Sequence, residues 1–255
     1  VVEQDYVPVP PEQLSVWDQQ HPAPKADAPD FERALLRWHT EDAQKQLQAA
    51  AASAEEFRKV AGPAVATVIG RTYENAGDVE WKMGEPIEHA DYAEVAGVLR
   101  NTTYVEELPM IVLLPDDWNR SVVVWLDDAG KSAIRKDDGS LKPEVLELLK
   151  GKSAVVAVDM LFQGEFLKDG ESIKQTRKVQ NPRESAAYTF GYNNSLFAQR
   201  AHDVLTIVKF LRTVRVDPHP SPAAVKVVGF GGTGPIVLAA RAVAGEAIDA
   251  VAADT

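Results

Sequence analysis

The feature that most limits what this chain can become is an ordered succession of short apolar, β-branched runs, each stopping at a corner rich in Asp or Gly. Residues 110–114 stop at Pro115-Asp116-Asp117, and residues 122–126 stop at Asp127-Asp128-Ala129-Gly130. Residues 154–158 stop at Asp159, residues 225–228 at Gly229, and residues 248–252 just before Asp254. Stretches with helical patterning, residues 141–149, 196–211 and 234–244, fall between the later runs. Strand alternating with helix is the sequence sign of a parallel sheet with crossover helices, so a doubly wound, mainly parallel α/β sheet is predicted. Unbroken apolar runs at 110–114 and 122–126 predict strands buried on both faces. Upstream, Val79-Glu80-Trp81-Lys82-Met83 alternates, which suits an antiparallel edge strand.

The first part of the chain obeys different rules. Pro8, Pro10, Pro11, Pro22, Pro24 and Pro29 crowd residues 1–30, a density that blocks helix and ladder bonding and predicts an extended arm or linker. Asp30 is placed to cap a helix from Phe31 to roughly Lys59, with Leu35, Leu36, Trp38, Leu47, Phe57 and Val60 as packing positions. The run from Ala49 to Ala54 reads as helix-favouring filler, and Gly62-Pro63 as the end or kink. The predicted organisation is a Pro-rich arm (1–30), a helical extension (31–77) and an α/β domain (78–255) whose C-terminal part is absent from this chain.

Composition narrows the function. Lys plus Arg number 27 against 38 for Asp plus Glu, and the resulting charge of −11 repels phosphate backbones, so no nucleic-acid partner is expected. No run reaches the ~18 apolar residues of a membrane span. With no cysteine, thiol nucleophiles, disulfides and zinc-thiolate sites drop out. The chain opens on Val1-Val2-Glu3 without an apolar signal segment, which predicts a processed or excised polypeptide. Asn101-Thr102-Thr103, Asn119-Arg120-Ser121 and Asn193-Asn194-Ser195 match the glycosylation triplet, a short pattern that matters only in a eukaryotic secretory host. Compartment stays undecided.

In open parallel sheets ligands sit beyond the carboxyl ends of the strands. The most informative corner is therefore Gly229-Phe230-Gly231-Gly232-Thr233-Gly234, directly after one strand and directly before a helix. It fits the dinucleotide fingerprint, with Asp254 ending the next strand where a ribose-binding acid would lie. It also fits the nucleophile-elbow position of a hydrolase, G-x-S-x-G, with Gly231 at the Ser position. A dinucleotide fold normally uses its first strand for such a loop, whereas several strands precede this one.

The runs at 108–115, 123–131 and 156–165, with Tyr188-Thr189-Phe190-Gly191-Tyr192-Asn193 and the helix holding Arg200-Ala201-His202-Asp203-Val204-Leu205, resemble the acetylxylan-esterase-like members of the α/β-hydrolase superfamily. The resemblance covers residues 78–255 and rests on order and loop chemistry. It implies an oxyanion loop at Asp127, Asp128, Ala129 and Gly130, where a plain tight turn is the competing reading. It also implies a Ser nucleophile, an acid after the sixth or seventh strand, and a His after the eighth. Here Gly231 supplies no hydroxyl, Thr233 stands where a small residue is needed, and the runs stop at the sixth, leaving Asp254 as candidate acid. The partners implied are carbohydrate or acetylated polysaccharide, and a second chain or domain that completes the sheet. The resemblance leans toward a secreted or periplasmic setting and implies no cofactor; no metal-ligand set is found.

The histidines do not repair the site. His21 lies in the arm, His39 and His89 precede the sheet, and His219 sits between Pro218 and Pro220 at the opposite end of a strand. His202, beside Asp203 in a crossover helix, is either a hydrogen-bonded helix residue or the best remaining base. Asp159 and Glu165 are either cleft acids or solvated loop acids, and Tyr188, Tyr192 and Asn193 either line a cleft or pack as a loop. Three functions stay open: a degenerate hydrolase domain that binds or scaffolds, an ester hydrolase completed from outside this chain, and a dinucleotide-binding oxidoreductase using residues 229–234.

Overall fold

The computed structural model describes residues 7–23, 30–168, 173–176, 186–213, 215 and 220–254. The chain divides into two compact units, Val1–Phe57 and Arg58–Thr255. In the first, α1 (Pro11–Leu14) is a single turn and α2 (Phe31–Ala50) is a long helix whose first-turn acid is Glu32. Asp30 occupies the N-cap position, but its side chain makes no capping bond.

The helix expected through residue 59 breaks early. Chain direction changes at residues 51–53, where the Ser53 hydroxyl accepts the Glu56 N–H at 3.1 Å and so starts a new helix, α3 (Ala54–Ile69). Helix α3 does not end at Gly62 but continues past it, with Pro63 in its interior. The alanine run, read as filler, is the site of the break because capping chemistry at Ser53 outweighs alanine's propensity. The expected packing positions Leu35, Leu36, Trp38, Leu47, Phe57 and Val60 are all exposed.

The second unit is built on eight strands. They are β1 (Val79–Met83), β2 (Ile87–Glu88), β3 (Tyr92–Asn101), β4 (Glu106–Pro115), β5 (Ser121–Leu126), β6 (Ala154–Val158), β7 (Ala224–Gly229) and β8 (Ala250–Ala253). Their spatial order is β1-β3-β4-β6-β5-β7-β8, with β2 paired to β3. The β6-β5-β7-β8 part is parallel, as strand-helix alternation predicts, and β1 to β4 add an antiparallel half. Helices α4 (Pro143–Lys150), α6 (Leu196–Thr213) and α7 (Gly234–Ala244) cross between parallel strands, and α5 (Ala186–Phe190) is a short turn before α6.

Side-chain alternation divides the core between the two faces. Val122, Val124 and Leu126 of β5 and Val156 and Val158 of β6 join the cluster under α6 and α7. Trp125 of β5 and Val155 and Ala157 of β6 join Val145 and Leu149 of α4 on the other face. Every residue of β5 and β6 is buried, which is why both read as continuous apolar runs. Strand β4 is not buried on both faces as expected: Val112 and Leu114 are half-buried beside a cavity on one face, and Ile111 is half-buried on the other, where it borders a pocket with Lys131 and Asp159. Strand β3 had no clear signal, since Ala93, Ala96 and Gly97 dilute its apolar pattern. The last strand starts at Ala250 and not at Ile248; Ile248 is buried in the preceding turn, and Asp249 there accepts the Val225 N–H at 2.6 Å.

Candidate functional site

Strand β7 delivers Gly229 to the carboxyl end of the sheet, and the chain turns through Phe230 and a single 3-10 turn, Gly231–Thr233, into α7. Gly231 has φ 57°, the left-handed region that L side chains enter only with strain. This is the strand-turn-helix shape of an elbow. A Cβ on Gly231 would meet nothing nearer than the Asp128 carboxylate at 3.1 Å, so a side chain there would project into open space apart from that contact.

Thr233 is fully buried, and its hydroxyl lies 3.0 Å from the Leu126 carbonyl and 2.9 Å from the Phe230 carbonyl. It therefore ties the elbow to the end of β5. A buried hydroxyl spent on backbone carbonyls is not available to attack an ester, so the small residue expected here is replaced by a threonine with a bracing role.

The amide donors of the elbow are also spoken for. Gly232 N–H donates to Asp128 Oδ2 at 3.0 Å, and Gly231 N–H donates to Asp254 Oδ2 at 3.3 Å. Two carboxylates of the protein itself thus sit where an elbow would hold the oxyanion of an acyl-transfer intermediate. Asp254 follows β8, the strand paired in parallel with β7, and its carboxylate turns back onto the glycine turn.

The loop after β5 is folded on itself. Asp127 Oδ1 accepts the Ala129 N–H at 2.9 Å, and the Asp127 carbonyl accepts the Gly130 N–H at 3.0 Å. Lys131 N–H donates to Asp159 Oδ1 at 2.8 Å. The backbone N–H groups of Ala129 and Gly130, named as oxyanion-loop donors, are thus both bonded to Asp127 within a tight turn. Of the two acids, Asp127 caps its own turn and Asp128 reaches across to the elbow.

Asp159 is buried at the floor of a pocket that Lys131 and Glu165 also line. It accepts the N–H groups of Lys131 and Glu165, the latter at 3.1 Å, and pairs with the Lys131 ammonium, which also reaches Glu165. Gln163, fully buried, donates to the Asp127 carbonyl at 3.1 Å and accepts the Met160 N–H at 3.1 Å. These bonds stitch the loop after β6 to the loop after β5. Sequence reasoning missed Lys131 and Gln163; the signal was a lysine placed directly after an Asp-Asp-Ala-Gly corner.

Helix α6 holds the same loop from below. Asp203 Oδ2 accepts the Leu161 N–H at 2.8 Å, while Arg200 donates to the carbonyls of Leu161 at 3.0 Å and Ile173 at 2.8 Å. Burial pushes the Asp203 carboxyl up to about 7 and lowers the Arg200 guanidinium. His202 points elsewhere: it is buried, its Nε2 donates to the Ile69 carbonyl at 2.6 Å, and burial lowers its pKa so that the neutral ring is favoured. It is a hydrogen-bonded helix residue. His89 follows β2, inside the sheet's strand order, and stacks on Tyr92 with ring centroids 4.4 Å apart. His21 contacts Asp18, and His219 lies outside the described residues.

The cleft-lining expectation fails as well. Tyr188 is exposed, Tyr192 wholly so, and Asn193 is exposed and donates to the Thr189 carbonyl at 2.9 Å. Among the described residues no group of three or more His, Asp or Glu side chains could hold a metal ion.

No family model and no curated protein matches this chain. Solved structures do. A putative acetyl xylan esterase from Bacteroides fragilis superposes with a TM-score of 0.51 at 13% identity, covering 77% of this chain and 53% of its own. Acetyl xylan esterase 1 from Thermoanaerobacterium gives 0.45 at 13% identity over 69% and 52%, and a glucuronoyl esterase from Solibacter usitatus 0.48 at 10% over 78% and 58%. The chain thus has a fold of the α/β-hydrolase type. It is similar to the acetyl xylan esterases in architecture and spans about half the length of the solved structures it matches.

Proposed function

We propose that the unit from residue 58 onward is a catalytically degenerate esterase-type domain that binds or scaffolds and does not turn over. One observation carries this reading: the elbow presents a glycine where a nucleophile would stand, and its two amide donors are bonded to Asp128 and Asp254. Acyl transfer on this fold needs an activated hydroxyl and free donors aimed at a developing oxyanion. Carboxylates in the donor position oppose such a charge.

Carbohydrate is the ligand class that this chemistry supports best. Sugar hydroxyls donate to carboxylates, and a groove of about 730 Å³ beside the elbow places Asp254 near the rings of Phe230 and Trp125, whose centroids lie 4.5 Å apart. Acetylated polysaccharide of the kind named for the structural neighbours is the first choice of ligand. Strand β8 ends the strand order, with no strand beyond it among the described residues, which supports a second chain or domain completing the sheet. An ester hydrolase completed from outside this chain remains the alternative, supported by the elbow-like backbone at Gly231. Dinucleotide binding has less support, because pyrophosphate would have to displace Asp128 and Asp254.

The test compares the wild type with Gly231→Ser on nitrophenyl acetate and a fluorophosphonate probe, alongside binding of acetylated xylan fragments by calorimetry. Turnover and probe labelling are expected from neither protein, with saturable binding to the oligosaccharide. Stoichiometric labelling of the wild type would overturn the degenerate reading. Micromolar NAD binding would replace it with an oxidoreductase.

A further inference from the structure

We propose that the end of the sheet opposite the elbow holds a second, independent ligand site, an aromatic-walled cavity that takes a small alkylammonium compound. The cavity measures about 300 Å³ and lies on the α6 face of the sheet. That is the share of liquid volume of about ten waters, enough for a compact organic cation. Its walls include Trp81 of β1, Phe210 of α6 and Trp118 of the β4–β5 turn.

The walls are fixed before any ligand arrives. Trp118 Nε1 donates to the Ser121 carbonyl at 2.8 Å, which sets the plane of its indole. Trp81 packs against Phe210 at a centroid distance of 5.8 Å and lies across Gly97 of β3. A Cβ on Gly97 would come within 2.7 Å of Trp81 Cη2, so only a glycine lets the indole rest there.

Among the described residues, Glu88 is the one ionisable side chain lining the cavity. Its position follows from register: Glu88 pairs with Ala93 across β2 and β3, and directly paired residues share a face. Ala93 lines the cavity, so Glu88 stands at its mouth. Arg120, near the same end, spends its guanidinium on the Ser221 carbonyl at 3.0 Å. A carboxylate beside indole faces selects a cation over a neutral molecule, through charge and through the ring quadrupole. The net charge of −11 further favours a cationic ligand.

The experiment uses the full chain with choline and its uncharged carbon isostere neohexanol, read by the indole N–H resonances of Trp81 and Trp118. Choline is expected to shift both signals saturably and to bind about fivefold tighter than neohexanol. Glu88→Gln, a change at an exposed position, is expected to reduce that preference while neohexanol binding stays as in the wild type, the indoles keeping a smaller share. Trp81→Leu is expected to weaken choline about fivefold or more. Equal affinity of the wild type for the two probes, or a choline preference that neither Glu88→Gln nor Trp81→Leu reduces, would overturn the cation assignment. Absence of any saturable shift would overturn the site. Neither result bears on the elbow, which lies at the other end of the strands.

Discussion

The two ends of the parallel strands are built on opposite plans. At the carboxyl ends, where this fold type is expected to do its chemistry, the carboxylates, the elbow amides and the Thr233 hydroxyl are bonded within the protein. Asp128 and Asp254 hold the elbow amides, Asp159 holds Lys131, and Thr233 braces β5. At the amino ends the walls are apolar rings around a space with one carboxylate at its mouth. The lesson is that a strand-turn-helix corner can have its amide donors bonded to the protein's own carboxylates while an open cavity lies at the other end of the same strands.

The contrast is most sharply broken at the Lys131 and Asp159 pair. Lys131→Met leaves a buried carboxylate without its counter-ion, and removing one partner of a buried pair costs about 3 to 5 kcal/mol. A large fall in the urea midpoint is expected, and an unchanged midpoint would show that Asp159 is held by backbone donors alone.

Asp203 gives the next effect, with a sign that can be worked out. Burial raises its folded-state pKa from 3.8 to about 7, so between those values the folded chain retains a proton that the unfolded chain has released. Stability should therefore be greatest below the unfolded value and fall as pH rises through about 7, by at most about 1.4 kcal/mol per pH unit. Asp203→Asn, whose amide oxygen can still accept the Leu161 N–H, should flatten that slope. Urea melts at about pH 5 and about pH 8 check this, and a slope that persists in the variant would assign it elsewhere.

Thr233→Val removes a hydroxyl and leaves its carbonyl acceptors short of a donor, with an expected loss of about 1 to 2 kcal/mol. The smallest effect belongs to the other end: Glu88→Gln should leave stability within about 0.5 kcal/mol of the wild type. A larger loss there would mean that Glu88 serves the fold and not a ligand.

Sequence reasoning read the parallel half of the sheet well, because β5 and β6 are buried on both faces and their apolar runs carry no other message. It read β7, its glycine corner and α7 equally well, since Gly231 sits in a conformation that other residues avoid. It missed β3, where small residues hide the alternation, and misplaced the helix break because a single serine can redirect a helix that a run of alanines favours. The site was legible as a place but not as chemistry. Nothing in Asp128 or Asp254 announces which amides they will occupy, and the Lys131–Asp159 and Gln163–Asp127 ties join residues 28 and 36 positions apart that only the folded sheet brings together. The Trp81, Phe210 and Glu88 cavity escaped notice because its walls come from distant segments, each with an ordinary reading as core or edge.

Gly231 carries one last consequence. A serine held at a positive φ stores local backbone strain of the order of 1 to 3 kcal/mol, which glycine does not incur. Once glycine occupies the turn, the relaxed backbone and the inward-facing carboxylates reinforce each other. A serine installed at this turn would have to bear that strain and settle its side chain beside the Asp128 carboxylate, which lies 3.1 Å from the position of a Cβ on Gly231.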